Sequence, residues 1–294
     1  MSLPASASPS AELVVVDPAV GAREVLRYVD VVEGDSVEQL FTVLHEPVAG
    51  DGRDGAAAIV LCPSIGASRE RAHRTMVELA RSLAAAGHPV LRFDFRGIGE
   101  SGGAFEDHCL STWRGDLERA IALLRAAFPG RPLGAWGVRG GALLASEVAA
   151  AGGCDGAMLC APMDGQALLQ DILRRTLVAD MMARPHAKRT PREEIIAGLE
   201  RGESSIVDGY RWTRRLWSDA ADHRIAFPAA PLPSWRLVDF RGLPKTALPA
   251  ALEACRELES GERFWESATR LVPRGTSLTE RTLAWARAVG EDRP

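Results

Sequence analysis

The sequence predicts an α/β protein: a mostly parallel central sheet, helices on both of its faces, and a helical insertion. Three observations carry that expectation. Short apolar runs, "AAAIVLC", "HPVLRF", "PLGAWGV" and "DGAMLC", alternate with stretches of helical periodicity, which is the rhythm of βαβ units. The runs are apolar throughout instead of alternating, as in strands covered on both faces. The rhythm breaks between about Asp164 and Pro233, in two or three Arg-rich helical stretches, and resumes at "WRLVDF".

In chain order, "MSLPASASPS" has neither a basic start nor an apolar segment, so residues 1–10 read as a flexible tail, not a signal peptide. Residues 11–294 then form one domain. "AELVVV", "EVLRYVDVV" and "QLFTVLHEP" read as strands, with "AGDGRDG" as a turn. "AAAIVLCPSIG" is a buried strand ending in turn residues. A helix follows over 69–86, with Met76, Leu79, Ala80 and Leu83 on one face, Ser68 as N-cap and Gly87 as its stop. "HPVLRFDFRG" is the next buried strand. Residues 111–128 place Trp113, Leu117, Ile121 and Leu124 at core spacing. "PLGAWGV" is a strand, 140–151 a helix of small residues, and "DGAMLCAPM" a further strand. The insertion of about 164–233 leaves from the carboxyl end of that strand, where α/β proteins bind ligands, and is expected to be a lid. In its "GYRWTRRLW" the aromatics Tyr210, Trp212 and Trp217 are expected inward and Arg211, Arg214 and Arg215 outward, not as a stacking surface for nucleic acid. "ALPAALEACRELES" reads as helical, "ERFWESA" as the last strand, and 276–289 as a closing helix.

Composition bounds the function. The chain has 294 residues, 46% hydrophobic and 25% charged, so a globular core is expected. A net charge of -4 gives no electrostatic reason to expect nucleic acid or an anionic membrane as partner. The five cysteines, Cys62, Cys109, Cys154, Cys160 and Cys255, lack metal-type spacing and read as buried thiols of a cytoplasmic protein. No apolar run approaches the roughly 18 residues of a membrane span. No motif asks for a metal or an organic cofactor, and none is expected.

The segment "GAWGVRGGALLAS", residues 134–146, raises the functional question. It has the strand–turn–helix setting of a G-x-S-x-G nucleophile elbow. Gly137 and Gly141 occupy the outer glycine positions, and Arg139 stands where the serine would be. Two other loops follow buried strands. In "FDFRGIGESGG", Gly97 and Gly99 permit the turn, and Asp94, Arg96 and Ser101 are expected to brace neighbouring loops. "CPSIGASRERAHR" carries Ser64 and Ile65. Together these motifs resemble the α/β-hydrolase superfamily, whose corresponding loop commonly reads D-x-R-G-x-G-x-S. The resemblance implies the α/β-hydrolase fold, with a helical lid. It also implies an oxyanion-hole N–H from the Ser64–Ile65 loop, and an acid and then a histidine after the elbow. Asp239, in "WRLVDF", stands near the acid position. All six histidines, His45, His73, His88, His108, His186 and His223, precede that strand, so no base follows the acid. Losing nucleophile and base together removes most acyl-transfer rate. No catalytic residue is assigned with Arg139 at the elbow; Ser64 is a weak alternative nucleophile. More narrowly, the chain is similar to a bacterial subgroup labelled exosortase A system-associated hydrolase, type 2, whose elbow commonly reads G-L-R-L-G-A. That likeness implies that Arg139 is a subgroup trait.

Two roles for Arg139 stand side by side. As an anion contact it adds a bidentate clamp to a helix N-terminus that already favours negative charge. As a strut it needs an internal carboxylate, because an unpaired buried charge is costly, and Asp164 is the foremost candidate. The expected ligand contacts are Arg139, Gly140, Ser64, Ile65 and Asp164. The leading expectation is binding of a small acyl or carboxylate ligand, an acyl-carrier thioester among them, without ordinary serine-hydrolase turnover. The alternatives are an ester or thioester hydrolase using Ser64, Cys62 or carboxylate-activated water, and a scaffold for protein contacts.

Overall fold

The computed structural model describes residues 13–17, 22–47, 56–229, 232, 234–261, 263–266 and 276–291. The expected tail, the whole "AGDGRDG" turn, and parts of "FPAAPLPSW" and "ERFWESA" lie outside the described residues. The fold is built on β1 (Leu13–Asp17), β2 (Ala22–Glu33), β3 (Ser36–Pro47), β4 (Ala58–Cys62), β5 (Val90–Phe93), β6 (Leu133–Val138), β7 (Gly156–Cys160), β10 (Trp235–Phe240) and β11 (Arg256–Glu259). They form one nine-stranded sheet in the order β1-β2-β3-β5-β4-β6-β7-β10-β11. The pairs from β1 to β5 are antiparallel, and every pair from β5 to β11 is parallel. This is the α/β-hydrolase fold.

The central strands are continuous apolar runs because both faces are covered. In β4, Ala58, Val60 and Cys62 join one buried cluster with Leu117 and Leu124 of α2 (Leu110–Ala127) and Leu143 and Leu144 of α3 (Gly140–Ala150). Ile59 and Leu61 point into the other, with Met76 and Leu83 of α1 (Ala67–Ala85) and Trp285 and Val289 of α7 (Thr276–Glu291). Each fully buried large apolar side chain contributes about 1.5–3 kcal/mol, so this alternation holds the sheet between two helical layers.

Two boundaries differ from the sequence reading. Helix α1 is capped by Gly66, at φ 58°, and Ser68 is buried within its first turn; a left-handed cap position selects glycine over the expected serine. "ALPAALEACRELES" is not one helix but a 3-10 turn, Ala250–Cys255, leading into β11. Among the described residues, the last strand of the sheet lies here, and 263–266 of "ERFWESA" are not strand: Leu237–Phe240 pair with Arg256–Glu259 in parallel register, so tertiary pairing outweighs local helical pattern.

Between β7 and β10 lie α4 (Gly165–Ala183), α5 (Arg192–Arg201), a hairpin of β8 (Ser205–Val207) and β9 (Tyr210–Trp212), and α6 (Arg214–Asp219). Trp212 and Trp217 are buried, Tyr210 half-buried, and Arg211, Arg214 and Arg215 exposed. Among the described residues, no helix is long and apolar enough to cross a membrane.

Candidate ligand site at the elbow

Strand β6 runs into α3 through one residue, Arg139, held at φ 57° and ψ -117°. A side-chain-bearing residue in that region is strained and persists only where its surroundings enforce it. They do so from both sides. The Arg139 N–H donates to Cys160 O at 2.9 Å, and its carbonyl accepts from Leu143 N at 3.1 Å. A Cβ on Gly137 would overlap the Gly141 carbonyl, and one on Gly141 would overlap the carbonyls of Pro63 and Cys62. The two glycines are thus required by close backbone approach, as the elbow pattern expects.

The Arg139 side chain is 3% exposed. One guanidinium nitrogen is paired with Asp171 of α4, and Nη1 lies 2.8 Å from the Met163 sulfur. Nε is buried with no partner. Burial first, and then Arg175, push its pKa below the ordinary value, with Asp171 opposing. Asp171 also accepts from Arg174 at 2.7 Å and pairs with Arg175 at 3.0 Å. Burial opposes its ionisation, yet Arg139, Arg174 and Arg175 hold its carboxyl below the ordinary range. The expected partner Asp164 is not the one used. It heads α4, accepts the Ile225 N–H at 2.8 Å and lies 3.9 Å from Arg224. Asp171, two turns along α4, faces Arg139 instead.

Arg139, Asp164 and Asp239 come together in the wall of one cavity of about 810 Å³, with Asp171, Arg174, Arg224, Lys245 and Arg263. Its lining cations outnumber its carboxylates, and Ala161, Phe227, Phe240, Leu243 and Pro244 supply apolar wall. Asp239 is taken by Arg256 and by the Thr246 N–H at 3.2 Å. Ser64, Ile65 and Gly140 are not among the residues lining this cavity. A side chain on Gly140 would meet Leu168 of α4 at 3.0 Å and Ile65 at 3.3 Å, so those two fill the space over the start of α3. Ser64 is 1% exposed, and its hydroxyl has no hydrogen-bond partner. Burial pushes the Cys62 thiol well above its ordinary value, so it is not a thiolate.

The "FDFRGIGESGG" loop is a brace. Arg69 forks onto Asp94, Arg96 pairs with Asp116, Glu33 and Glu38, and Ser101 Oγ accepts the Phe41 N–H at 2.9 Å. A serine–histidine–carboxylate constellation exists elsewhere, and sequence reasoning missed it. Ser111 Oγ lies 3.1 Å from His223 Nε2, and His223 Nδ1 is 2.9 Å from Glu147. Asp219 also bonds Ser111 and sits 3.4 Å from Nε2. Burial disfavours the charged ring, but Asp219 and Glu147 on either side raise its pKa to about 9. At neutral pH it is a cation holding α2, α3 and the end of α6 together, with no free lone pair to act as a base. Among the described residues, no group of three or more His, Cys, Asp or Glu is placed to hold a metal ion.

Residues 56–216 match a protein family described as serine aminopeptidase, S33. No curated protein matches the sequence significantly. Among solved structures, the chain is similar to a Xanthomonas campestris protein described as an α/β serine hydrolase without lid, at 16% identity and TM-score 0.51 over 99% of both chains. It is also similar to Est1E of Butyrivibrio proteoclasticus, solved with ferulic acid, at 17% identity and TM-score 0.55 over 88% of this chain and 99% of that one. A Mycobacterium smegmatis proline iminopeptidase matches at 13% identity and TM-score 0.50, over 90% and 99%.

Proposed function

We propose that this chain, which belongs to the serine aminopeptidase S33 family, uses its hydrolase fold to hold a small anionic acyl or carboxylate ligand, with Arg139 as the anion contact and without ordinary serine-hydrolase turnover. One observation carries the reading. The position of the nucleophile holds a buried guanidinium with an unpartnered Nε, in the wall of a cavity of about 810 Å³ richer in cations than in carboxylates. A carboxylate entering there would gain charge-assisted hydrogen bonds, and the apolar wall suits an acyl chain. Of the insertion, α4 and the residues Arg224, Ile225 and Phe227 line the cavity and act as its lid.

A nonstandard hydrolase has less support. Ser64 has no base, Cys62 is a neutral thiol, and Asp239 is already paired. A scaffold with no ligand is disfavoured by the open cavity. The test is a fluorophosphonate probe together with titration by a series of straight-chain fatty acids. The reading expects no covalent labelling and saturable binding that Arg139→Met weakens. Stoichiometric labelling of any serine would refute it.

A further inference from the structure

The overall charge of -4 conceals a segregated distribution. Residues 171–192 contain Arg174, Arg175, Arg184, Lys188, Arg189 and Arg192 against two carboxylates, Asp171, which pairs with Arg174 and Arg175, and Asp180. Asp180 is shared by Arg184 and Arg189. Glu193 and Glu194 follow at the start of α5. The same segment carries the distal end of α4, which stands clear of the core. Leu168, Leu169, Ile172 and Leu173 anchor the first half, but Val178, Met181 and Met182 are 43%, 54% and 76% exposed.

These apolar residues continue a particular face. Ala167, Asp171 and Arg174 line the cavity. At helical spacing Val178 and then Met181 and Met182 extend the same stripe beyond it. One face of α4 therefore runs from the cavity wall to an exposed apolar end, followed in the chain by Arg184, Lys188 and Arg189, of which Arg184 and Arg189 share Asp180. We propose that this end of α4 docks on an anionic lipid surface, with Met181 and Met182 entering the acyl boundary and Arg184, Lys188 and Arg189 lying among the headgroups.

Charge and shape favour this occupant. Apolar side chains beside a basic cluster are what an anionic interface selects. A specific protein partner needs roughly 800 Å² on each side, whereas a projecting helix end with three exposed apolar side chains needs only a surface to enter. The inference stands on the α4 end and does not require the ligand assignment of the cavity.

The test uses the full chain and sedimentation with two vesicle types, phosphatidylcholine alone and phosphatidylcholine with an equal part of phosphatidylglycerol. Binding is expected on the second and at least tenfold weaker on the first. It should fall steeply with added salt. Met181→Ser with Met182→Ser, and separately Arg184→Gln with Lys188→Gln, should each weaken it at least fivefold. All four side chains are exposed, so folding is preserved, and an unchanged melting curve checks this. Met182→Cys carrying a polarity-sensitive fluorophore gives an independent readout, since the five native cysteines are buried; a blue shift is expected only with anionic vesicles. Equal binding to both vesicles, full binding by both double variants, or no vesicle binding overturns the proposal. A label shielded by self-association or by an acidic carrier protein, with no response to vesicles, overturns it too, by assigning the tip to a protein partner.

Discussion

Arg139→Met separates a ligand contact from a strut, and the structure sets the scale. Breaking a buried ion pair costs about 3–5 kcal/mol when it strands the partner. Here the partner is not stranded. Asp171 keeps Arg174 at 2.7 Å and Arg175 at 3.0 Å. Arg139 itself is buried with Nε unpaired, so methionine removes a desolvated charge and retains most of the volume. The left-handed φ is equally strained for both residues, because each carries a Cβ. The expected stability change is therefore within about 1 kcal/mol, read from urea unfolding midpoints at unchanged slope. Ligand affinity should behave differently. A charge-assisted hydrogen bond to the guanidinium contributes about 2–3 kcal/mol, which is roughly 30- to 150-fold in Kd. Calorimetric titration with fatty acids gives that number. Asp171→Asn is the complementary change. It leaves three arginines without their shared carboxylate, so stability should fall more than for Arg139→Met, while affinity for an added carboxylate rises. A loss of 3 kcal/mol or more in Arg139→Met with unchanged binding would show that Arg139 is a strut.

Three other outcomes are expected. His223 titrates near 9 in the folded protein and near 6.5 when unfolded. Its clip is thus complete below about pH 6.5 and is lost as pH rises through about 9, a contribution of at most about 3 kcal/mol; unfolding curves of His223→Gln should lack that pH dependence, and a parallel loss in both proteins would remove His223 as its source. Gly141→Ala should destabilise by about 3 kcal/mol or more, since its Cβ would overlap two backbone carbonyls, whereas Gly115→Ala in α2, with open space around the added methyl, should stabilise by about 0.5–1 kcal/mol; thermal melts of the pair decide this, and similar melting temperatures would mean the elbow packing is wrong. Gly137→Val should likewise harm folding more than Arg139→Ser, measured by soluble yield and denaturant midpoint, because the first places a branched side chain against Gly141 and Ala142 while the second keeps the existing backbone.

The sequence by itself determined the class of fold and the odd residue at the elbow. Apolar runs such as "AIVLC", bounded by turn residues, read as strands covered on both faces, and glycines four apart around Arg139 mark the elbow turn; both signals are local, written within a few residues. The absence of a histidine after Asp239 was likewise countable. What lies opposite Arg139 was not. "DILRR" shows that Asp171 shares a helix face with Arg174 and Arg175, but nothing in it says that this face meets an arginine 32 positions earlier. Asp164 was the expected partner because it is nearest to a strand end; the tertiary structure points its carboxylate at the Ile225 N–H instead. The closing strand followed the same rule: β11 exists because β10 offers it a parallel edge, against the helical pattern of "ALPAALEACRELES". Local chemistry is set by neighbours in the chain, whereas ion-pair partners, cavity walls and edge pairing are set by how α4 and β10 pack over the sheet, and that depends on contacts tens of residues apart.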